Sequence, residues 1–331
     1  MNAMSDKEVR CQYCDASRFT LLFDHVTDRL RHAAGKWRFY QCEECGSAQL
    51  DPLPPQEAMA LTYPEVYSPA PADGPAQGVL GLLRNLEHHV FFARVYRTQV
   101  ATVMKYTDGS EMSGRSLLDV GCGRGLRLVE FARRGYDVLG IDFQADAVAY
   151  VKGLGIPALV ADVRELATAV DHRRFDVVTA FYCLEHAYDV ADMLRSCNDV
   201  LRPGGWLVAA CPLIDSLQAW VFGRRWSQVS EAPRHITIPS RRGVRVALAR
   251  FGFTRIQMVA DSAIWCAGMA AQSLLPRSAT TFAYSSPRLT TWIVRVAAAA
   301  AAIAWVPLSV VENYLIRRPG CGIFYCQKSA A

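Results

Sequence analysis

The chain has 331 residues, of which 51% are hydrophobic and 20% charged, which is an ordinary globular composition with enough apolar material for a sizeable core. The net charge of +5, without a dense run of lysine or arginine, argues against nucleic acid as a partner. The amino terminus lacks the apolar stretch of a secretory signal, so we expect a cytoplasmic protein whose eleven cysteines do not form disulfides.

Two Cys-x-x-Cys pairs open the chain, Cys11 with Cys14 and Cys42 with Cys45. Thiolates at this spacing suit one tetrahedral zinc ion, and four sulfur ligands leave no open position for water, so we expect structural zinc. The interval between the pairs exceeds the usual spacing of about 15–20 residues and must hold a hairpin. We therefore predict a zinc-ribbon unit over 1–50, with a reduced, metal-free cluster as the alternative.

Between this unit and the main domain the composition changes twice. Residues 51–78 contain seven prolines, which is typical of a linker or lid. Residues 79–106 carry apolar side chains at helical spacing and predict one long amphipathic helix. We group 51–114 as a proline-rich lid and helix, and we predict that 115–331 forms the main domain.

From residue 115 onward, short apolar runs alternate with amphipathic stretches. The runs SLLDV, DVLGID, PALVAD, FDVVTAFY and WLVAAC predict five strands, each separated from the next by a helix. This alternation indicates an α/β fold with a doubly wound, mostly parallel sheet covered on both faces. FTRIQMVA and GIFYCQK predict two more strands, with a helical insertion over 261–320 between them.

The first strand of this domain ends in LLDVGCGRG, where Asp119 precedes Gly121, Gly123 and Gly125. Ligands of open α/β sheets bind at such turns, and a dinucleotide would bring its pyrophosphate there. A carboxylate repels pyrophosphate, whereas it attracts a ligand that has a cationic end and no phosphate. S-adenosylmethionine fits that description, and glycine lets the backbone approach it closely.

The ends of the next strands add further candidates for cofactor binding. Asp142 stands where a carboxylate takes the ribose hydroxyls of a bound nucleoside, and Phe143 is suited to lie against the adenine. Asp162 is suited to accept a hydrogen bond from the adenine amino group. Val163 and Tyr182 complete the predicted set. The alternative interpretation is that these aspartates merely cap helices.

The motifs LLDVGCGRG, VLGIDF, ALVADV and LRPGGWLVAACP, in this order over 115–212, resemble the class I S-adenosylmethionine-dependent methyltransferases. The resemblance implies a Rossmann-like sheet with an antiparallel last strand. It also implies cofactor roles for the three aspartates and three glycines named above.

Together with the cysteine pairs, the pattern resembles bacterial methyltransferases of glycan and natural-product gene clusters, including sugar C-methyltransferases. This resemblance implies a small-molecule, sugar or lipid-linked glycan acceptor. It also implies that Tyr63 and Tyr67 help to cover the cofactor or the acceptor, although simple packing explains them equally well.

Two histidines are the candidates for a catalytic base, and a structural role is the alternative for each of them. His186 follows the fourth strand, and His235 lies in the long connection after the fifth. Some methyltransferases carry a Glu-x-x-Glu-His metal site in the first region. Here Tyr182 occupies the place of one carboxylate of that motif, which leaves Glu185 alone and argues against a catalytic metal.

Other aromatic residues follow the fifth strand. Trp220 and Trp226 either line a pocket for a sugar or lipid or pack in the core.

The insertion contains an apolar stretch, 292–311, which is long enough to span a bilayer although it includes an arginine and a proline. If the two flanking strands pair, both ends of the insertion lie on one side, and a single crossing is excluded. An interfacial helix flanked by arginines 277, 288, 317 and 318, a re-entrant hairpin and a buried helix remain as alternatives. Peripheral membrane contact through 261–320 is therefore one hypothesis.

Two other functions remain open from the sequence. One is an NAD(P)-dependent oxidoreductase on the same type of sheet, against which Asp119 argues. The other is a non-catalytic zinc-ribbon adaptor that only binds S-adenosylmethionine. The oligomeric state is not encoded in any pattern that we can interpret.

Overall fold

A computed structural model describes residues 9–30, 32–63, 92–107, 114–275 and 289–330; the side chains of residues 60, 289–292 and 295 lie outside the description. The first thirteen residues of the predicted helix 79–106, together with Tyr67 and arginines 277 and 288, fall outside the described residues.

The described residues form two β-sheets. The strands are β1 (Phe19–Val26), β2 (Trp37–Cys42), β3 (Ala48–Asp51), β4 (Ser116–Val120), β5 (Asp137–Asp142), β6 (Ala158–Val160), β7 (Phe175–Phe181), β8 (Leu201–Pro212), β9 (Thr237–Ile238), β10 (Phe253–Ala260) and β11 (Cys321–Lys328).

Helices alternate with the strands of the larger sheet and also precede it. They are α1 (Gln56–Ala60), α2 (Ala93–Tyr106), α3 (Leu126–Ala132), α4 (Ala145–Gly153), α5 (Leu166–Ala169), α6 (Val190–Asp199), α7 (Leu217–Phe222), α8 (Arg241–Arg250), α9 (Ala263–Leu274) and α10 (Leu289–Val310), the last continued by a π-helical turn, Val311–Ile316.

The larger sheet has seven strands in the order β10-β11-β8-β7-β4-β5-β6. Strands β8, β7, β4, β5 and β6 run parallel, and β11 lies antiparallel between β8 and β10. The predicted doubly wound, mostly parallel fold with an antiparallel last strand is confirmed. The apolar side chains of the central strands are buried on both faces, which explains why these strands read as continuous apolar runs.

One strand boundary differs from the sequence expectation. Strand β8 begins at Leu201 rather than at Trp206, because Leu201 already pairs with Phe175 of β7. The Pro-Gly-Gly sequence predicted to end the preceding helix is thus part of an irregular strand start, and helix α6 ends earlier, at Asp199.

The smaller sheet joins the amino-terminal segment to the main domain. Strands β1 and β2 form the hairpin expected between the cysteine pairs, and β3 extends it. The fourth strand, β9, comes from the long connection after β8 and pairs with β3, which no local pattern indicated. The buried side chains of Phe39, Trp226 and Ile238 form a common core under this sheet. The sheet therefore crosses the predicted boundary between 1–50 and 115–331.

The insertion before the last strand leaves and returns at one edge of the larger sheet. Ala260 at the end of β10 pairs with Gly322 at the start of β11, so the two ends of the insertion are neighbours. Within it, Val296–Ile316 is long and apolar enough to cross a membrane: an 18-residue window of it has a mean hydropathy of 1.5, and 22% of that window is buried.

Candidate active site

A cavity of about 600 Å³ opens above the carboxyl ends of the parallel strands β4 to β7. Its floor is formed by the residues that follow these strands, which is where open α/β sheets bind their ligands. The opposite wall comes from three sequence-distant parts of the chain: the segment around Met59 and Tyr63, the connection that carries His235, and helix α9 with Trp265 and Met269.

In the glycine turn after β4, two glycines line the cavity and the third packs against a helix. Gly121 and Gly123 line the cavity in left-handed conformations with φ of +67° and +51°. A Cβ atom at Gly121 would lie 2.5 Å from the sulfur of Cys183, so the turn has no room for a side chain there. Gly125 does not line the cavity; a Cβ atom at this position would lie 2.8 Å from Val151 of helix α4, so packing requires this glycine.

Asp119 also lies behind the cavity wall rather than on it. Its side chain is 2% exposed, and Thr179 of the adjacent strand donates a 2.6 Å hydrogen bond to its carboxylate. Burial raises the pKa of Asp119 to about 6, while the Arg127 guanidinium and the Thr179 hydroxyl oppose that rise. Asp119 was predicted to contact the ligand directly. Its side chain instead lies on a face of the sheet, behind the cavity wall, and this position does not favour such a contact.

Asp142 and Phe143 follow β5 and both line the cavity. The Asp142 carboxylate accepts hydrogen bonds from the backbone N–H groups of Gly123, at 2.8 Å, and Gln144, at 2.9 Å. It thereby ties the glycine turn to the end of β5, and burial raises its pKa despite these bonds. The Phe143 ring is half-exposed toward the cavity, where a flat ligand could pack against it.

Asp162 and Val163 follow β6 and line the same side of the cavity. The Asp162 carboxylate caps the short turn after it by accepting from the Arg164 backbone N–H, and the Arg164 guanidinium holds it at 2.8 and 2.9 Å. These bonds from Arg164 lower the pKa of Asp162 against the effect of burial. Asp162 thus caps a helical turn, as the alternative interpretation predicted. Because Arg164 already donates to both carboxylate oxygens, Asp162 has fewer positions left to accept a hydrogen bond from a ligand.

Tyr182 follows β7 in a left-handed conformation with φ of +60° and lines the cavity. Its hydroxyl donates to the buried carboxylate of Asp261, which also accepts a 2.7 Å bond from Gln99 of helix α2. Gln99 in turn accepts a 2.9 Å bond from Arg127, whose guanidinium lies on the cavity wall. This network was not expected from the sequence, because its members lie in four separate segments.

The structure brings together His186 and His235, the two predicted catalytic histidines. Their rings meet edge to face with centroids 4.7 Å apart, and both residues line the cavity. The Tyr63 hydroxyl lies 3.1 Å from Nδ1 of His186, and the Tyr63 ring packs edge to face on Phe143. Tyr63 therefore contacts both Phe143, which follows β5, and His186, which follows β7, as expected of a residue that covers the cavity.

Both histidines are held as neutral imidazoles. Nδ1 of His186 lies 3.0 Å from the carbonyl of Arg234, and Nδ1 of His235 lies 2.8 Å from the carbonyl of Gln228. Because a carbonyl only accepts, both Nδ1 atoms carry the proton and both Nε2 atoms are the basic nitrogens. Burial lowers the pKa of each ring to about 3, with the neighbouring histidine contributing for His186.

Glu185 is a further candidate for the site, to which the sequence analysis assigned no role. Its side chain is 1% exposed and lines the cavity, and its Oε2 atom is buried without a hydrogen-bond partner. Burial raises its pKa to about 8. One ligand atom from each of Glu185, His186 and His235 lies within 4.8 Å of the other two. One carboxylate and two imidazoles at this distance could also bind a divalent cation.

The four amino-terminal cysteines converge as expected, outside the cavity. Cys11 and Cys45 have their sulfurs 3.6 Å apart, and Cys14 and Cys42 have theirs 3.5 Å apart, with all four within 4.8 Å. All four are free thiols at distances too long for disulfides. Tetrahedral zinc with bonds of about 2.3 Å separates its sulfurs by about 3.8 Å, so the donor set fits that ion.

The two tryptophans do not line the cavity. Trp226 is fully buried in the core of the smaller sheet, where its indole N–H donates to Gln218 at 3.3 Å. Trp220 points away from the protein and is 79% exposed. Core packing therefore explains Trp226, and Trp220 belongs to the outer surface.

Residues 86–258, more than half of the chain, match the family described as a methyltransferase domain. The chain belongs to this family. The motifs over 115–212 predicted a methyltransferase of this kind, and the match confirms that prediction at the level of the family.

Curated relatives of this methyltransferase include two proteins named ubiquinone biosynthesis O-methyltransferase. The one from Alkalilimnicola ehrlichii is 42% identical over 103 residues, which cover 29% of this chain and 41% of that protein. The one from Leptothrix cholodnii is 36% identical over 103 residues, covering 29% and 44%. The methyltransferase thus spans less than half the length of these relatives.

Among solved structures, a methyltransferase from Archaeoglobus fulgidus described as S-adenosylmethionine-dependent is 16% identical. The similarity covers 73% of this chain and 98% of that one, with a TM-score of 0.47. Family membership favours methyl transfer over the oxidoreductase alternative.

Proposed function

We propose that this methyltransferase methylates a hydroxyl group of a small, ring-containing acceptor bound in the cavity beside the cofactor. The observation that carries the proposal is the buried cluster of Glu185, His186 and His235, which faces the same cavity as the glycine turn. A proton acceptor at this place is useful only if the acceptor loses a proton as it is methylated.

The cofactor half of the cavity is assigned to the ends of β4, β5 and β6. We propose that the backbone at Gly121 and Gly123 lies against the amino-acid part of S-adenosylmethionine, with Asp142 at the ribose and Phe143 at the adenine. Asp162, Val163 and Tyr182 complete this side. When bound, the cofactor supplies a methyl group on a cationic sulfur, which needs no further activation.

A cation in this half suits the charges of the wall. The carboxylates of Asp142 and Asp162 line the cavity, and Asp119 lies behind its wall. Arg127, also on the wall, is placed to pair with the carboxylate of an amino-acid ligand. The site therefore offers both signs of charge, as a zwitterionic amino-acid group requires.

The acceptor half is assigned to the opposite wall. Aromatic side chains of Tyr63 and Trp265 line it and favour a flat or ring-shaped acceptor. The curated relatives are named ubiquinone biosynthesis O-methyltransferase, and this name supports methyl transfer to an oxygen atom of the acceptor. The resemblance to glycan methyltransferases keeps a sugar or lipid-linked glycan as the second acceptor class.

Within the cluster we assign the proton acceptor to Glu185. A histidine with a pKa near 3 is a poor base, whereas a carboxylate with a pKa near 8 is matched to neutral solution. The Glu185 carboxylate takes the proton of the acceptor hydroxyl while the oxygen of that hydroxyl attacks the methyl carbon. The bond between this carbon and the cofactor sulfur breaks on the opposite side, in line with the attack. His186 and His235 are then positioning residues, whose basic Nε2 atoms are placed to accept hydrogen bonds from a second polar group of the acceptor.

We propose that the four cysteines hold one structural zinc ion. The donor set supports this, and so does its place: the hydroxyl of Ser240, which caps helix α8, donates to the Cys45 carbonyl at 2.5 Å. The ion would therefore brace the connection that carries His235 rather than take part in chemistry.

The test is transfer of a labelled methyl group from S-adenosylmethionine by the purified protein to dihydroxybenzenes with polyprenyl side chains, and to lipid-linked or nucleotide-linked sugars. We expect the wild type to label one class, and Glu185→Gln to bind the cofactor normally but lose at least 100-fold in kcat. Cofactor binding without transfer to any acceptor favours the adaptor alternative. Loss of activity on treatment with a chelator, with the cysteine zinc retained, assigns the cluster to a metal instead.

A further inference from the structure

The end of helix α10 and the π-helical turn after it bury polar side chains and expose apolar ones. In its last turns the polar side chains of Ser309, Glu312 and Asn313 are buried. The exposed side chains of the same stretch are apolar, namely Leu308, Val310, Tyr314, Leu315 and Ile316. A surface helix in water shows the opposite arrangement, so this face is adapted to an apolar environment.

Hydrogen bonds fix this orientation. Gln218 of helix α7 donates a 2.9 Å bond to the Glu312 carboxylate, and the Asn313 side chain donates a 2.9 Å bond to the backbone carbonyl of Asp261. Rotating the segment to bury its apolar side chains would break both bonds and place a carboxylate outside. The exposed apolar face is therefore a built feature of the fold.

Helix α7 extends the same face. Its Phe222 ring packs on Trp305 with centroids 5.3 Å apart, and the Leu217 backbone N–H donates to the Arg318 carbonyl at 3.1 Å. Between these two attachments, Trp220 is 79% exposed and Val221 is also exposed. An exposed tryptophan beside apolar side chains is typical of the boundary between a bilayer and water.

The exposed arginines at the ends of α7 and of the π-helical turn give this face a basic rim, and the nearby Asp215 is paired with Arg241. Arg224 and Arg225 follow α7, Arg317 and Arg318 follow the π-helical turn, and all four are exposed. Glu312, which is buried, is the only acidic residue in 216–225 and 289–318. Anionic lipid headgroups match an apolar surface with such a basic rim.

We propose that this face, formed by α7 and the segment from α10 to Ile316, docks on the surface of an anionic lipid bilayer without crossing it. A single crossing is incompatible with the fold, because Ala260 and Gly322 pair at one sheet edge and both ends of the insertion return there. The inference is independent of the proposed function. The two are linked by helix α9, which packs on α10 and also carries Trp265 and Met269 of the cavity wall.

The test is flotation of the full-length protein with vesicles of phosphatidylcholine, alone or with one third phosphatidylglycerol. We expect flotation only with the anionic vesicles, and a decrease as salt rises. Leu315→Glu is expected to reduce the partition coefficient at least tenfold, and Arg317→Gln with Arg318→Gln about fivefold per residue. Leu154→Glu, a change at an equally apolar exposed position far from this face in sequence, is the matched control and should float as the wild type does.

Cofactor binding and circular dichroism check that each variant is folded. Absence of flotation with either vesicle overturns the proposal. Equal flotation with neutral and anionic vesicles overturns the role of the arginines. A concentration-dependent dimer that Leu315→Glu dissociates, without vesicle binding, assigns the face to a second copy of the chain and also overturns the proposal.

Discussion

Asp28 of the amino-terminal segment and Arg234 of the connection after β8 form a fully buried ion pair. The guanidinium donates to both carboxylate oxygens, one of them at 3.0 Å, and both side chains are inaccessible to solvent. Arg234 precedes His235 in the chain, and its carbonyl accepts from His186. The pair therefore couples the amino-terminal sheet to the histidines of the cavity.

Replacing Asp28 with Asn should destabilise the protein by up to about 3 kcal/mol, because it removes one of the two carboxylates, Asp28 and Glu231, that neutralise the buried Arg234 guanidinium. Urea unfolding measures this loss. Asp24→Asn is the control, since the pair of Asp24 with Arg38 is partly exposed and screened by solvent, and its loss should destabilise the protein much less. Equal losses in the two variants would contradict the structural role assigned to the buried pair.

The same pair predicts acid sensitivity. Although burial raises the pKa of Asp28, the hydrogen bonds from Arg234 and the backbone lower it below its usual value overall. A depressed carboxyl pKa contributes stability that is present above the unfolded value near 3.8 and is lost as the pH falls through the folded value. The difference in unfolding free energy between wild type and Asp28→Asn should therefore shrink below about pH 4.

Metal content tests the zinc proposal. We expect about one zinc ion per chain, and Cys42→Ser should lose it together with several kcal/mol of stability, because metal binding is coupled to folding of the segment. Cys197→Ser changes a buried free cysteine outside the cluster and should keep the zinc. A stable wild type that contains no metal after purification without chelators would refute the assignment.

The pH profile of catalysis tests Glu185 as the base. Because the carboxylate must be ionised to accept a proton, kcat/KM should rise with pH and level off above an apparent pKa near 8. Glu185→Gln should lose this rise along with most of the activity. A profile that instead levels off above a pKa between 6 and 7, and that His235→Gln abolishes, would return the role of base to a histidine.

The same carboxyl predicts an opposite trend in stability. Its folded pKa near 8 exceeds the unfolded value near 4.5, so its contribution is full below pH 4.5 and falls as the pH rises toward 8. Glu185→Gln removes this loss, and the variant should gain stability relative to the wild type by up to about 1.4 kcal/mol per pH unit in that window. A constant difference between pH 5 and pH 8 would argue that Glu185 is already ionised in the folded protein.

The two strand-end aspartates should differ in cofactor binding. Asp142→Asn should weaken S-adenosylmethionine binding at least tenfold, since the change alters both the ribose contact and the bond to Gly123 that shapes the turn. Asp162→Asn should weaken it less than about threefold, because Arg164 already holds that carboxylate. Titration calorimetry measures both, with the exposed Asp137→Asn as control. The reverse order would invalidate the proposed cofactor orientation.

Local sequence patterns were sufficient for most of the main domain. Runs of apolar residues and glycine turns depend on neighbouring residues only, and they predicted the strands of the seven-stranded sheet and its turn at Gly121 and Gly123. The hairpin between the cysteine pairs follows from their spacing, and it forms as β1 and β2. Strand β9 was missed because two residues carry no periodicity, and its pairing depends on β3, far away in the chain.

The sequence by itself determined the class of fold, the family and the set of polar residues near the cavity. Only the tertiary structure decided which of them share an environment: Asp119 turns onto the sheet face beside Thr179, while Glu185 is buried next to His186 and His235. The physical reason is that strand periodicity is a local property of the chain. Burial, by contrast, and with it the pKa of a carboxyl or an imidazole, depends on every segment that packs around the group.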